Sequence, residues 1–338
     1  MAPREASPLR RFLTVEGLPV MLVLLALVVA FMIAAPEVFL GHLIYMSFLV
    51  NVPPLLITAL ALTLIIAAGE IDLSFPSILA LSGWVLAYFI RELHAPGLGL
   101  VLALLAGAIV GYVNGLLVAR IGVPSIIATL ATQFLWGGLT TVFSQGVSYS
   151  LSGVEELFIW KLFVGRIGPF PISALWAFAV AGVLWLILNR HRFGEHLLFI
   201  GDNARVAEVV GVDVAREKIR AFVLMGVLAA FAAVLLTLEN QNFFNTQGGG
   251  YLLGVMAAVF IGGTSVFGGS ASVVGTLGGA FIIAMVEAGL VATGLQGFWV
   301  RAVVGLVFLA AVIGHLAIER PGLMAALWRR RTERGGGG

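Results

Sequence analysis

Ten apolar stretches, each near the length of a membrane span, constrain this chain more than any other feature. A transmembrane helix needs about 20 mostly apolar residues, because the hydrocarbon core offers no partner to an unpaired backbone group. The composition agrees: 60% of the residues are hydrophobic and 11% are charged, whereas soluble domains have roughly 25% charged residues. The sequence therefore predicts an all-α fold, a polytopic transmembrane helical bundle. The predicted spans are residues 18–38, 50–69, 74–90, 98–119, 124–143, 170–189, 219–238, 251–267, 273–293 and 298–315.

The basic residues predict the orientation of this bundle. Ten spans place both termini on one side, and segments rich in Lys and Arg stay in the cytoplasm. Of the 19 Lys and Arg residues, Arg91, Lys161 and Arg166 fall in segments on one side, Arg301 falls in a span, and the other 15 fall on the opposite side. We therefore expect both termini to be cytoplasmic. The predicted organisation is an N-terminal tail at 1–17, a transmembrane domain at 18–315 with an external loop at 144–169 and a cytoplasmic segment at 190–218, and a C-terminal tail at 316–338.

The first span could also be taken for a signal peptide. Arg4, Arg10 and Arg11 precede an apolar run, as in a secretory leader. The run from Leu18 to Ala35 is long for such a leader. An uncleaved first span is therefore the preferred interpretation.

Several kinds of site are excluded by what the sequence lacks. Without cysteine there is no disulfide, thiol nucleophile or cysteine-ligated metal. The net charge of +2 gives no basic face of the kind that binds nucleic acid. The glycine-rich segment 260–272 lacks the lysine of a phosphate-binding P-loop. We therefore expect no metal site, no nucleic-acid partner and no nucleotide bound by this chain.

A polar segment interrupts the apolar sequence between the second and third spans. Pro76 removes a backbone donor, and Asp72 or Ser74 can cap a new helix, so the segment predicts a helix break. A break at membrane depth is tolerated only inside protein or beside a polar cavity. The segment is therefore either part of a transport path or an ordinary cytoplasmic turn. Its candidate residues are Gly69, Glu70, Asp72, Ser74 and Ser77.

Two glycine patterns predict close contact between helices. Gly107, Gly111 and Gly115 recur at every fourth position, which puts small residues on one helix face. The second pattern lies between the eighth and ninth spans and suits a hinge or a close helix crossing, with packing as the preferred role. Its candidate residues are Gly262, Gly263, Thr264, Ser265, Gly268 and Gly269.

The cytoplasmic segment predicts a short helix. Asp202 or Asn203 supplies an N-cap and Gly211 a C-terminal stop, which leaves about two turns between them. Val206, Val209 and Val210 share one side of this helix at i, i+3 and i+4. The stripe faces either the protein's own spans or a partner, and self-packing is the preferred interpretation.

Two acidic residues stand out in or near the spans. Glu287 is expected at mid-span, and Glu239 at the outer end of another span, beside several Asn and Gln residues. An ionisable residue inside a span is by default a candidate functional residue. Glu287 either faces a pathway for hydroxyl-rich or cationic solutes or pairs with Arg301 on the next span.

Four motifs in this chain resemble those of one transporter family, in the same order. Residues 69–77 resemble "GIDLSxGS" and residues 124–130 resemble "PSFIATLG". Two later segments resemble "GGNxxAARxSGI" and "IAAVVIGGTSLxGGxGSVxGTLxGA". The family is the membrane permease subunit of ribose-type, carbohydrate ABC importers, and the resemblance runs from about residue 45 to residue 315. Four positions depart from it: Glu70 replaces a glycine, Phe75-Pro76 replaces Val-Gly, and Glu287 replaces a usual asparagine.

The resemblance implies one subunit of a larger assembly in the bacterial cytoplasmic (inner) membrane. A second permease copy or a paralogue would complete the path for a small polar solute, a monosaccharide or related carbohydrate. An extracytoplasmic solute-binding protein would deliver it, and two ABC ATPases would use ATP and Mg, so that this chain needs no cofactor and is not itself an enzyme. The residues implied in coupling to the ATPase are Asp202, Asn203, Ala207, Val209, Val210 and Gly211.

Two other classes compete with this interpretation. An ion-gradient-driven secondary transporter could move protons through Asp72, Glu239 and Glu287, although the chain lacks the inverted repeat with matching broken helices that marks many such proteins. A membrane-embedded enzyme would need Glu70 and Asp72 to act with His42 or His94, but no motif such as HExxH supports it.

Overall fold

The computed structural model of the protein describes residues 16–319, so the two predicted terminal tails, with Arg4, Arg10 and Arg11, lie almost entirely outside the described residues. Thirteen α-helices make up most of this part of the chain. They are α1 (Leu18–Ala34), α2 (Pro36–Phe39), α3 (Leu43–Ala67), α4 (Phe75–Arg91), α5 (Pro96–Leu116), α6 (Ser125–Ser144), α7 (Phe158–Phe163), α8 (Ile172–Arg190), α9 (Arg192–Val209), α10 (Val214–Glu239), α11 (Tyr251–Ile261), α12 (Val273–Ala292) and α13 (Phe298–Glu319).

Short irregular elements complete the described chain. A π-helical turn at Leu117–Ile121 continues α5, and a 3₁₀ turn spans Val154–Glu156. Four two-residue strands form two antiparallel pairs. β1 (Tyr149–Ser150) pairs with β4 (Asn242–Phe243), and β2 (Arg166–Ile167) pairs with β3 (Phe170–Pro171).

Each predicted span coincides with an apolar helix, which confirms the helical class. Six helices, α3, α5, α6, α8, α10 and α12, are long and apolar enough to cross a membrane, and α1, α4, α11 and α13 contain shorter apolar stretches. The boundaries were predicted less well. The eighth span was expected to reach residue 267, but α11 ends at Ile261, and Gly263 has φ +84° two residues later.

The centre of the bundle is formed by α3 and α10. In their most apolar windows 78% and 72% of the residues are buried, compared with 22% for α6. The glycine face of α5 packs directly on α10. A Cβ on Gly111 would collide with the Phe222 carbonyl, and Gly107 and Gly226 exclude a side chain from each other. The predicted packing role of these glycines is therefore confirmed.

Candidate functional site

The helix break between α3 and α4 is held by the beginning of α6. The backbone N–H of Ile71 donates to Ser125 Oγ at 3.2 Å, and that of Leu73 donates to Thr129 Oγ1 at 3.0 Å. Ser125 and Thr129 belong to the second of the four motifs. The two motifs therefore form one structural unit, in which hydroxyls satisfy the backbone donors that the break leaves unpaired.

Asp72 lies fully buried at the centre of this break. Its Oδ1 accepts hydrogen bonds from the backbone N–H of Ser74 at 2.7 Å and from Ser74 Oγ at 2.6 Å. Ser77 Oγ donates to the Ser74 carbonyl at 2.7 Å. Asp72, rather than Ser74, is thus the acceptor at the turn that begins α4. Asp72, Ser74 and Ser77 are buried in protein, whereas Gly69 at the start of the break is exposed.

Two polar residues that the sequence analysis did not single out extend this network. Asn114 Nδ2 donates to Ser74 Oγ at 2.7 Å, and Thr132 Oγ1 donates to Asn114 Oδ1 at 2.7 Å. Both side chains are buried. The available signal was an amide inside an otherwise apolar predicted span, because a polar side chain there usually has a polar partner.

Three glycines from three motifs meet beside the break. A Cβ on Gly268 would lie 2.8 Å from Gly69 Cα and 3.0 Å from Gly201 Cα. A Cβ on Gly201 would collide with the Ala67 carbonyl oxygen and the backbone nitrogen of Gly269. Gly69, with φ +76°, and Gly268, with φ +86°, also adopt conformations that favour glycine. We call this contact of Gly69, Gly201 and Gly268 the glycine junction.

Glu70, a candidate pathway residue, forms an ion pair within the protein. Its Oε1 lies 2.5 Å from Lys218 Nζ, and the two side chains are 14% and 17% exposed. Lys218 belongs to the first turns of α10. Glu70 therefore connects the helix break to α10.

The rest of the glycine-rich segment packs closely. A Cβ on Gly262 would lie 2.5 Å from the backbone nitrogen of Thr276, and one on Gly275 would collide with the Gly262 carbonyl. Thr264 and Ser265 are buried, and Ser265 Oγ accepts from the Phe267 N–H at 3.2 Å. These contacts agree with the packing role, whereas a hinge role stays a prediction.

The predicted short cytoplasmic helix is the second half of α9. Helix α9 has a kink at Asn203, where φ is −159° and ψ is 101°. Asn203 Oδ1 accepts from the N–H groups of Arg205 and Val206 at 3.1 and 3.2 Å, as an N-cap does. Gly211, with φ +92°, follows the end of the helix. The capping residues predicted this short helix but not the helical turns before Asp202.

The valine stripe of this helix faces away from the protein. Val206, Val209 and Val210 are 56%, 86% and 68% exposed, so the preferred interpretation of self-packing was wrong. Ala207 occupies the inner face instead, buried with Ile200 and Val214. The i, i+3, i+4 pattern marks an apolar face, but it does not say what covers that face. We call Val206, Val209 and Val210 the valine face.

A cavity of about 630 Å³ lies between α3, α10, α11 and α12. Its polar lining includes hydroxyls, amides and two carboxylates. Gln247 is held in the wall, because its Nε2 donates to the Leu79 carbonyl at 3.1 Å and to Thr237 Oγ1 at 2.9 Å. The polar lining residues are Ser47, Asn51, Glu239, Asn240, Thr246, Gln247, Tyr251 and Glu287.

Glu287 belongs to this cavity and lies close to one end of its helix. It precedes the last residue of α12 by five positions, and α12 matches the predicted span within one residue, so the mid-span location stays a prediction. Arg301 is exposed on α13, and among the described side chains no ion pair joins it to Glu287. Glu239, the last residue of α10, lines the same cavity. The cavity thus brings together the two acidic residues that the sequence analysis singled out.

Comparison with known proteins identifies the family to which this chain belongs. The family model for the permease component of branched-chain amino acid transport systems matches residues 44–312. The chain belongs to this family. This permease is a multi-pass protein of the bacterial inner membrane, and the matched residues include the helix break, the glycine junction, the valine face and the cavity.

Named relatives of the permease are sugar permeases. It is 35% identical over 258 residues to the ribose import permease protein RbsC of Bacillus subtilis, covering 75% of this chain and 79% of the relative. It is 36% identical to the L-arabinose ABC transporter permease protein AraH of Azospirillum brasilense, covering 76% of both chains. It is 32% identical to the fructose import permease protein FrcC of Rhizobium meliloti, covering 76% of this chain and 73% of the relative. No solved structure gives a significant match.

Proposed function

We propose that this chain is the permease subunit of an ABC importer for a small polar solute, a monosaccharide or a related carbohydrate. The family and the names of the ribose, fructose and arabinose permeases support this function. The structural observation that supports this function is the valine face, an exposed apolar patch on a capped helix. This helix is joined to the helix break through Gly201. Exposed apolar patches of this kind mark protein–protein contacts.

The valine face is the proposed docking site for an ABC ATPase. The chain itself is non-catalytic in this proposal, binds no cofactor, and leaves ATP and Mg to that partner. Asn203 and Gly211 define the two ends of the docking helix, Asp202 precedes the cap, and Ala207 anchors its inner face. Val209 and Val210 are the residues that the ATPase would cover.

A mechanical connection leads from the docking helix to the interior. Gly201, which precedes the Asn203 cap of the docking helix, contacts Gly69 and Gly268 through backbone atoms, so no flexible side chain lies between the segments. A displacement of α9 would therefore move the helix break and the beginning of α4. ATP-driven closure of the ATPases would shift the population between inward-open and outward-open states through this contact.

The proposed topology has ten spans and cytoplasmic termini, with the transmembrane permease domain at 18–315. Residues 190–218, which include the docking helix, face the cytoplasm. Residues 144–169 face the outside, where the β1–β4 pair and an Arg91 guanidinium 4.9 Å above the Tyr149 ring order the surface. A solute-binding protein would dock on this side, above the cavity lined by Glu239 and Glu287.

A second permease copy, or a paralogue, is proposed to cover α6. This helix is the least buried of the six long spans. A groove of about 230 Å³ beside it is lined by Ser77, Gln133, Gly137 and Gly138 among others. Polar and small residues on an exposed membrane face suit a helix partner better than lipid.

The decisive experiment measures recovery of an ATPase with the tagged permease from native membranes. We expect an ABC ATPase to copurify with the wild type and to be lost when Val209 and Val210 are both replaced by Asp. Val147→Asp is the matched control, since Val147 is an exposed valine on the proposed external side. ATPase recovery that survives V209D/V210D contradicts the proposal. So does uptake that follows a pH gradient without ATP, which is the behaviour of a secondary transporter.

A further inference from the structure

The cavity between α3, α10, α11 and α12 has an unbalanced charge. Glu239 and Glu287 line it, whereas no Lys, Arg or His among the described residues does. Arg166 of β2 is near enough to attract Glu239 electrostatically, but it is not part of the lining. The lining therefore carries two carboxylates and no cation of its own.

The two carboxylates are available to a ligand for different reasons. Glu239 Oε2 is buried without a hydrogen-bond partner in the described part of the chain. Glu287 is exposed and forms no ion pair with any described residue. For the buried oxygen of Glu239, donors or a cation are needed to offset desolvation. The Glu70–Lys218 pair illustrates the usual solution elsewhere in this protein.

The remaining polar lining adds one backbone acceptor and several groups that both donate and accept. Pro54 has no backbone N–H, so the carbonyl of Val50, which also lines the cavity, lacks its helical donor. Asn51 and Asn240 add exposed side-chain amides, which can bind solute hydroxyls. Gln247 donates its amide protons within the wall and contributes little to a ligand. The two carboxylates and the Val50 carbonyl can only accept, and an ammonium supplies three donors to such groups.

We infer that this cavity binds a hydroxylated solute carrying a protonated amine, such as an amino sugar, in preference to a neutral or an anionic sugar. The inference rests on the proposed function, because it assigns the cavity to the imported solute. Glu287 stands where the resembling permeases usually have asparagine, and this exchange adds a negative charge that an ammonium group can offset. A metal ion is a poorer occupant, since the described residues contain no group of three metal-ligating side chains.

The test uses the purified full-length chain in lipid nanodiscs and three probes that share one ring. They are D-glucosamine, D-glucose and D-glucuronate, used at mildly acidic pH, where the amine is protonated. Ligand-dependent shifts of the thermal unfolding midpoint give the dissociation constants. We expect glucosamine to bind at least about tenfold more tightly than glucose, because charge-assisted hydrogen bonds are stronger than neutral ones. Glucuronate should bind most weakly.

Single substitutions then assign the preference to the cavity. Glu287→Gln and, independently, Glu239→Gln should each reduce glucosamine binding toward that of glucose. Neither carboxylate has an ion pair to lose among the described residues, so both variants should fold. Glu155→Gln, at an exposed carboxylate outside the cavity, is the control that should keep the full preference.

Each contrary result overturns the inference. Equal binding of glucosamine and glucose by the wild type would do so, as would no shift with any probe. A preference that persists in both Gln variants would place it elsewhere, and an equal shift with calcium chloride would point to a metal ion. None of these results affects ATPase recovery or ATP-dependent uptake, so failure of this inference is distinguishable from failure of the proposed function.

Discussion

Lys218 Nζ lies 2.5 Å from Glu70 Oε1 and joins the beginning of α10 to the helix break between α3 and α4. Lys218 lies after Val210, the last residue of the valine face, in the first turns of α10. Glu70 directly follows Gly69 of the glycine junction. The ion pair therefore supplements the backbone contact at Gly69. Both side chains are mostly buried, so removing one partner leaves the other charge poorly solvated.

We expect Lys218→Met or Glu70→Gln to lower the free energy of unfolding by about 1–3 kcal/mol. The estimate is below that for a fully buried pair, because both groups keep some solvent contact. Thermal or denaturant unfolding of the purified protein in detergent measures the change. The charge-reversed double variant E70K/K218E should recover part of the loss, as expected for two directly coupled residues.

The exposed pair of Arg91 and Glu92 is the control for this prediction. Its atoms are 3.2 Å apart, and the side chains are 48% and 46% exposed. Glu92→Gln should change stability by less than about 1 kcal/mol, as is typical of surface pairs. If Glu70→Gln lowered the free energy of unfolding as little as Glu92→Gln, the Lys218–Glu70 contact would have no role in stabilising the break.

Gly201→Ala should be among the most destabilising small substitutions in the protein. The added Cβ would meet the Ala67 carbonyl oxygen and the Gly269 nitrogen, which are backbone atoms that no rotamer change can move away. Overpacking of this kind costs about 1–3 kcal/mol or more. The measurement is the unfolding midpoint, together with the yield of folded protein from membranes.

Gly182→Ala provides the matched control for the glycine junction. Gly182 lies in α8 with no atom within 4 Å of an added Cβ. Alanine is favoured over glycine inside a helix by up to about 1 kcal/mol. We therefore expect G182A to be neutral or stabilising. Equal effects of G201A and G182A would argue against the close contact of the three motifs.

The elements that local chemistry determines were predictable from the sequence, and the contacts between distant elements were not. Apolar length was sufficient to locate the helices, and side-chain chemistry was sufficient to locate the Asn203 cap. The glycine junction joins residues far apart in the chain, so three separate glycines carried no signal of a common contact. The bond between Ser74 and Asn114, 40 residues apart, was hidden for the same reason.

The wrong expectation for the valine stripe has a physical origin. A valine stripe shows that one helix face is apolar, but the same stripe suits either a fold's own core or a partner. Sequence periodicity therefore located the candidate residues better than it located their surroundings.

The buried network around Asp72 predicts a cost for losing a single amide. Asn114→Ala would leave Ser74 Oγ without a donor, whereas Thr132 Oγ1 would keep the Thr129 carbonyl as an acceptor. An unsatisfied buried group costs about 1–3 kcal/mol. We expect a clear decrease in the unfolding midpoint for N114A. The exposed Asn189, which donates to the Trp185 carbonyl, is the control, and N189A should change stability little. An unperturbed N114A would mean that the network does not support the break.

The absence of cysteine makes the proposed contact between two permease copies directly testable. Gly138 is exposed on α6 beside the small groove, and no atom lies within 4 Å of an added Cβ. A single Gly138→Cys should therefore be tolerated and, if α6 faces the same helix of a second copy, should crosslink to a dimer in native membranes. Gly182→Cys, on the exposed side of α8, carries the same change away from the proposed contact.

The expected result is a dimer band for G138C and none for G182C, measured by non-reducing electrophoresis after mild oxidation. A protein partner explains this difference, because lipid around α6 would leave the two thiols equally unlikely to meet. If the pairing partner is a paralogue, G138C should crosslink only when that second chain also carries a cysteine on its corresponding helix. Crosslinking of G182C with G138C silent in both pairings would move the interface from α6 to α8 and contradict the proposed arrangement.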